Sequence, residues 1–425
     1  MSRHRVVITG LGVCAPNGVG IPAFSKAIKE GISGIEFHQE LADLNFGCQI
    51  AGKPEISEEL LKNYFTPLQL RSLDATGIIY GMIAGVDAWK DAGLTVTDKQ
   101  TVDYDSGIIF GTSLLGIEKV RKSIYLTDEG KVRRIGSTAV VQTMASGISA
   151  YLGGYLGCGN QVTTNSSACT TGTESILMGY DRISNGYAKR MLVGGCNDSG
   201  PYIWGGFDAM RVLTTKYNDQ PEKGSRPMQS DASGFVPGSG AGALVLESLE
   251  SALQRNATIY AEVLGGAVNS GGQRQSGSMT APNSEAVQRC IKDALQNTGI
   301  DAKAIDTING HLTATRICPT EIKNWSTALN IQGKHFPYVN SLKSMTGHCL
   351  AAAGSIETVA TILELHEGMV FGNINCEAIH EEITAIVDKS KIPTLTLKKD
   401  IQIAAKASFG FGDVNCCMLF KKFNS

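Results

Sequence analysis

Cys169 stands in the run Asn165-Ser166-Ser167-Ala168-Cys169-Thr170-Thr171-Gly172-Thr173. A β-favouring stretch, Gln161 to Thr164, precedes it, and a helix-favouring run from Glu174 to Tyr180 follows. That order predicts strand, sharp turn, nucleophile, helix. A cysteine at a helix N-terminus feels the positive end of the helix dipole, which favours its thiolate. Free backbone N–H groups at the same place can hold an oxyanion. The competing reading is an inert buried cysteine. Two histidines downstream favour the nucleophile. His311 follows a short strand in Ile308-Asn309-Gly310-His311-Leu312-Thr313-Ala314-Thr315, and His348 closes Lys343-Ser344-Met345-Thr346-Gly347-His348, just before the small-residue run Ala351 to Gly354. Each histidine alone reads as an ordinary core or surface residue.

The elements that must position these residues alternate in type. Short β-branched runs predict strands over Arg5–Ile8, Gly107–Phe110, Met191–Gly194, Ala243–Leu246, Ile259–Leu264, Tyr338–Asn340, Ile401–Lys406 and Cys416–Phe420. Helices are expected over Ile21–Lys29, Leu68–Ala92, Ala286–Asn297, Glu321–Leu329 and Ala352–Glu367, and after Cys169. Such alternation points to an α/β fold with buried, largely parallel sheets. A charged segment near residues 251–256 suggests a division into halves 1–253 and 254–425. No internal repeat is visible by eye.

With 425 residues the chain can bury a large core. A net charge of −2, with 18% charged residues, gives no general affinity for polyanions and argues against a nucleic-acid partner. The eleven cysteines are scattered, without a C-x-x-C pair, so a reduced, cytoplasmic protein without a zinc site is expected. The apolar run after Arg5 is short and breaks at Gly10, which reads as a first strand rather than a signal peptide. No stretch has the length needed to span a bilayer.

Taken in order, Val6 to Gly12, the cysteine run, Gly234-Phe235-Val236-Pro237-Gly238, Lys343 to His348 and Ser408-Phe409-Gly410-Phe411-Gly412 resemble the β-ketoacyl-acyl-carrier-protein synthases of the elongating Cys-His-His type, in the thiolase superfamily. The resemblance runs nearly the full length. It implies a five-layered α-β-α-β-α sandwich of two similar halves, with the active site between them. It implies a decarboxylative Claisen condensation in which Cys169 stores an acyl group as a thioester, which keeps the acyl carbon electrophilic. His311 and His348 would offer N–H groups to the enolate formed when a malonyl unit loses carbon dioxide. The backbone N–H groups of Cys169 and Phe411 would form the oxyanion hole, with Phe409 and Phe411 in the gating loop. Lys343 and Glu357 would form a buried supporting pair. Thr313 and Thr315 would meet the phosphopantetheine arm, Leu114 would line the acyl pocket, and Arg71 and Arg211 would face the carrier protein. No metal or organic cofactor is implied, since the pantetheine arm arrives on the acyl carrier protein. The family dimerises through the strand before the nucleophile, here about 160–164, so a homodimer or a heterodimer with a chain-length partner is expected.

The chain departs from the family pattern in places. Leu312 stands where a glycine is usual, the segment from His311 to Glu321 is one residue shorter, and Asp413 replaces a common glycine. Of the basic cluster near the first helix, Leu68-Gln69-Leu70-Arg71-Ser72 keeps only Arg71. These changes point to a specialised type II polyketide or polyene pathway. Housekeeping fatty acid elongation shares all the chemistry. A degradative thiolase would place a second cysteine near Phe411-Gly412-Asp413, and a non-catalytic chain-length subunit would lack Cys169.

Overall fold

The computed structural model describes residues 3–96 and 98–424; residues 1, 2, 97 and 425, including the outer limits of the two expected halves, lie outside the described residues. Ten strands carry the fold. The first five are β1 (Val6–Ala15), β2 (Ser106–Gly111), β3 (Val162–Thr163), β4 (Arg190–Asn197) and β5 (Gly240–Ser248). The second five are β6 (Ala261–Ser270), β7 (Thr307–Asn309), β8 (Tyr338–Asn340), β9 (Ile403–Gly410) and β10 (Val414–Lys422). They lie side by side in the order β8-β7-β9-β10-β6-β1-β5-β4-β2-β3, and the short strand Gly18–Val19 pairs with β1.

That order contains a repeat. Numbered within its own half, each half runs 3-2-4-5-1. Its first strand is antiparallel to its fifth and its fifth to its fourth, while its fourth, second and third are parallel. The halves join where Val6 to Ile8 of β1 pair antiparallel with Ala261 to Val263 of β6. The expected pair of sheets is therefore continuous at one corner.

Five helices complete the layers: α1 (Thr76–Asp91), α2 (Thr171–Ser184), α3 (Ser284–Thr298), α4 (Cys318–Leu329) and α5 (Ala353–Glu367). Helix α1 packs on β1, β4 and β5, and α3 packs on β6 and β10. Helices α2 and α5 touch each other and strands of both halves. Buried apolar residues accordingly form a central cluster, with Ile176 and Ile183 of α2 and Ile356 and Val359 of α5, and one outer cluster on each side. In α5 every residue from Ala353 to Leu365 is buried, the pattern of a helix enclosed on all sides. The result is the α-β-α-β-α arrangement.

Several expected boundaries move. Strand β1 runs on to Ala15 through a bulge between Ile8 and Gly10. The single helix expected over Leu68–Ala92 is two: a short turn Pro67–Leu70, opened by a Thr66–Gln69 capping box, and α1. The break is tied by Gln142, whose side chain accepts from the Asp74 N–H and donates to the Ser72 carbonyl. Helices at Ile117–Asp128, Gly147–Leu156 and Pro201–Ala209 were not expected. The first of these is started from a distance, because the buried Asp198 carboxylate accepts from the Ile117 N–H and, with its other oxygen, from Gly77 in α1.

Candidate active site

The nucleophile loop is built by its own hydroxyls. Ala168 takes a left-handed conformation, φ 50°, and the residues Ala168–Thr170 form one 3₁₀ turn that runs into α2. Thr171 Oγ1 accepts from the Ser167 N–H and donates to the Ala168 carbonyl, and Thr170 Oγ1 donates to the Ser167 carbonyl. The second half repeats the device. Leu350 has φ 52°, and the 3₁₀ turn Leu350–Ala352 runs into α5. Cys169 in one half thus corresponds to Ala351 in the other, and His348 lies just upstream of the second turn.

Two glycines bring the turns together. A Cβ on Gly172 would lie 2.5 Å from the Ser355 backbone nitrogen, and one on Gly354 would lie 2.3 Å from Thr173 Oγ1 and 2.6 Å from its backbone nitrogen. Each sits three residues after its turn's central position, so the heads of α2 and α5 meet backbone to backbone.

Cys169 Sγ lies 3.2 Å from His348 Nε2. The backbone N–H groups of Phe411 and of Cys169 itself are turned to the same sulfur. His348 Nδ1 accepts from the Leu350 N–H at 3.2 Å, which fixes the neutral tautomer with its proton on Nε2. His348 is therefore a donor toward the sulfur and whatever oxygen replaces it. His311 stands edge-on to His348, with ring centroids 5.3 Å apart, and its Nδ1 is buried with no hydrogen-bond partner. Its backbone N–H and that of Leu312 donate to Glu321, both at 2.7 Å. Leu312 is strained at φ 25° and packs into the core beyond β7, so the bulky residue turns away from the cavity.

Burial sets the protonation states. It pushes both imidazoles well below the ordinary histidine range; the Lys343 ammonium adds to that, followed by Lys406 for His348 and by His348 and then Lys406 for His311. Both rings are neutral at neutral pH. Burial also pushes the Cys169 thiol up to about 11, against the lowering effects of the Phe411 N–H and Lys343. Burial thus opposes the thiolate-favouring pull expected of the helix head, which here is a single 3₁₀ turn before α2.

Behind the histidines, Lys343 and Glu357 form a short buried ion pair through Glu357 Oε1. Lys406, fully buried on β9, lies 2.9 Å from Glu357 Oε2. In the sequence Lys406 is marked only as a lone charge in the apolar run Ile403-Ala404-Ala405-Lys406-Ala407. The sulfur and imidazole donors of Cys169, His311 and His348 lie within 4.8 Å of one another, a spacing a cation could span.

A cavity of about 510 Å³ leads from the surface to Cys169. Thr313 and Thr315 line it, with hydroxyls 3.0 Å apart, as do Phe409, Phe411, Arg211 and Arg316. Arg71 and Leu114 are not in its lining. Arg71 is exposed, and Leu114, 51% exposed, stands on a loop that turns outward as Ser113 bonds to Asn197. Asp413, which the sequence marked only as a departure, holds the mouth. Its buried carboxylate accepts from the backbone N–H groups of Gln273 and Asn283. It thereby ties the Phe411 loop to the segment carrying Thr280 to Pro282. All eleven cysteines are free thiols. No helix among the described residues is long and apolar enough to cross a membrane.

A cysteine and two neutral imidazoles between the repeated halves of an α-β-α-β-α sandwich are the arrangement of the thiolase-like condensing enzymes. The chain belongs to the β-ketoacyl synthase family: residues 3–252 match the model of its N-terminal domain and residues 260–377 that of its C-terminal domain. It is 33% identical to the 3-oxoacyl-[acyl-carrier-protein] synthase 2 of Vibrio harveyi over 426 residues, covering 99% of both chains. Among solved structures, a β-ketoacyl synthase from Burkholderia phymatum is similar over the whole of both chains, with a TM-score of 0.89 and 27% identity. The ishigamide ketosynthase/chain length factor is similar over 99% of this chain and 100% of that one, with a TM-score of 0.87 and 27% identity.

Proposed function

We propose that the protein catalyses the decarboxylative condensation of a Cys169-bound acyl group with a malonyl unit carried by an acyl carrier protein. The observation that carries this reading is the convergence on one sulfur of His348 Nε2 and two backbone N–H groups. In the first stage Cys169 attacks an acyl thioester. The tetrahedral oxyanion lies on the N–H groups of Cys169 and Phe411, the carrier sulfur leaves, and it takes up the thiol proton. In the second stage the malonyl C–C bond breaks, carbon dioxide departs, and the electron pair passes to the thioester oxygen as an enolate. His348 Nε2–H and a ring N–H of His311 hold that oxygen. The enolate carbon attacks the acyl carbonyl, the same oxyanion hole serves again, and Cys169 leaves as a thiolate that regains a proton from water. Two neutral donors suit an oxygen that becomes anionic only during reaction. The phosphopantetheine arm is part of the substrate, beside Thr313 and Thr315, and the steps as written call for no metal or resident cofactor.

The substrate belongs in our reading to a specialised type II system making a polyketide or polyene. Leu312, the shortened segment before Glu321 and the thinned basic cluster at Arg71 support this, as does likeness to the ishigamide ketosynthase. Identity to a synthase 2 supports the alternative of fatty acid elongation. Strand β3 lies at the free edge of the sheet, with Val162 exposed. A second subunit there, identical or a chain-length partner, would close the acyl end near Leu114. The test is mass spectrometry of products formed from malonyl-carrier protein and defined acyl starters. A chain two carbons longer, carrying a 3-oxo group, is expected, and turnover on coenzyme A thioesters without a carrier would contradict the reading. Elongation of saturated acyl groups as fast as a dedicated fatty acid enzyme would remove the specialised pathway and leave the chemistry.

A further inference from the structure

Glu357 faces two cations. Lys343 pairs with its Oε1 and Lys406 lies 2.9 Å from its Oε2, and all three side chains are at most 2% exposed. Lys406 Nζ also donates to the Ala407 carbonyl, and to Ser408 Oγ at 3.2 Å. Ser408 Oγ in turn lies 2.9 Å from Thr173 Oγ1 on α2. One ammonium is therefore bound to the carboxylate of α5, to the strand that leads into the Phe409–Phe411 loop, and through one hydroxyl to the helix headed by Cys169.

Lys343 alone already pairs with Glu357. Burying a second ammonium is costly and would not persist for packing alone, since an apolar residue fills the same volume without the desolvation penalty. We propose that Lys406 is a positioning residue for the condensation: it sets a second positive charge beside Glu357, in the buried cluster behind the two imidazoles. This rests on the proposed reaction for its purpose and on the geometry alone for its electrostatics. The other titratable groups packed around the cluster are Glu321, Cys169 and Cys349. Glu321 is turned toward the backbone N–H groups of His311 and Leu312, Cys349 is buried, and Cys169 is half-buried at the cavity wall. The Lys406 ammonium, which burial disfavours and Glu357 and Glu321 favour, opposes protonation of His311 and His348, so both remain neutral N–H donors, and it favours the oxyanion they receive.

Lys406→Gln removes the charge and keeps a donor for Ala407 O and Ser408 Oγ. With ¹⁵N-histidine labelling, the ring titrations of His311 and His348 are expected to move up by about one pH unit in this variant. The acidic limb of malonyl decarboxylation moves with them, while Lys406→Arg leaves both near wild type. A purely structural role would lower the rate without moving either midpoint. Unmoved histidine midpoints in folded Lys406→Gln would overturn the proposal. If Lys406→Gln does not fold, a shifted acidic limb in Lys406→Arg overturns it equally. The labelled titration reads the electrostatics without substrate. Shifted histidines in a protein whose wild type decarboxylates nothing would therefore uphold Lys406 and sink the reaction instead.

Discussion

The contact between the heads of α2 and α5 makes a strong prediction for Gly354→Ala. In the middle of an ordinary helix this change is favourable by about 1 kcal/mol, because alanine loses less backbone entropy than glycine. Here the added methyl would lie 2.6 Å from the Thr173 backbone nitrogen, roughly 0.8 Å inside ordinary contact. Backbone cannot rotate aside as a side chain can, so the two helix heads must separate. Overpacking of this kind costs about 1–3 kcal/mol, which matches or exceeds the propensity gain. The functional effect is larger. His348 precedes α5 and Cys169 precedes α2, so the separation falls on their 3.2 Å contact and stretches it to roughly 4 Å, beyond hydrogen-bond reach. A displacement near 1 Å at reacting groups costs about a hundredfold in rate. We expect stability within about 2 kcal/mol of wild type, read by urea unfolding, and condensation slowed about tenfold to a hundredfold. Gly206→Ala is the control, since its Cβ would meet nothing within 4 Å, and it should keep full activity. Wild-type activity in Gly354→Ala would refute the argument that this crossing positions the pair.

Further consequences follow from the same geometry. Glu357→Gln strands two buried ammonium groups and should cost about 3–5 kcal/mol in urea unfolding, more than a single surface pair could. The buried imidazoles make stability depend on pH. As pH falls below the ordinary histidine value near 6.5, the unfolded chain takes up protons that the folded chain refuses, so the stability these two rings allow holds above that pH and declines below it, while Glu364, whose buried carboxyl is pushed up to about 8, acts in the opposite sense. Calorimetry across roughly pH 5–8 on the wild type and on a His311→Phe, His348→Phe variant isolates the histidine part, and a variant that loses more stability toward acid than the wild type would contradict it. Asp413→Ala leaves the Gln273 and Asn283 N–H groups without their acceptor, with an expected loss of about 1–3 kcal/mol. Hydrogen exchange should show residues 271–283 opening faster, and unchanged protection there would remove Asp413 from the mouth.

Much of the site was legible in the sequence because its signals are local. Ser167, Thr170 and Thr171 beside Cys169 are the residues that build the turn, and Gly347-His348 before a run of alanines marks a second helix head. The repeat was not legible, because the halves share strand pairings and positive-φ turns rather than side chains. Cys169 in one is Ala351 in the other. The helix dipole at Cys169 can be inferred from sequence, and the burial that opposes it cannot. Lys406 reaches Glu357, 49 residues away, and Asp413 reaches Asn283, 130 residues away, and no local pattern announces such contacts. The expected helix over Leu68–Ala92 broke for the same kind of reason, a distant Gln142 side chain.

The central claim is that the Cys169 sulfur carries the growing chain under two neutral imidazoles. Peptide-resolved mass spectrometry after mixing with acyl-carrier protein tests it most directly. The acyl mass should appear on the peptide containing Cys169, vanish when malonyl-carrier protein is added, and never form in Cys169→Ala, which should remain folded. Label on another of the eleven cysteines, or turnover retained in Cys169→Ala, would contradict the account.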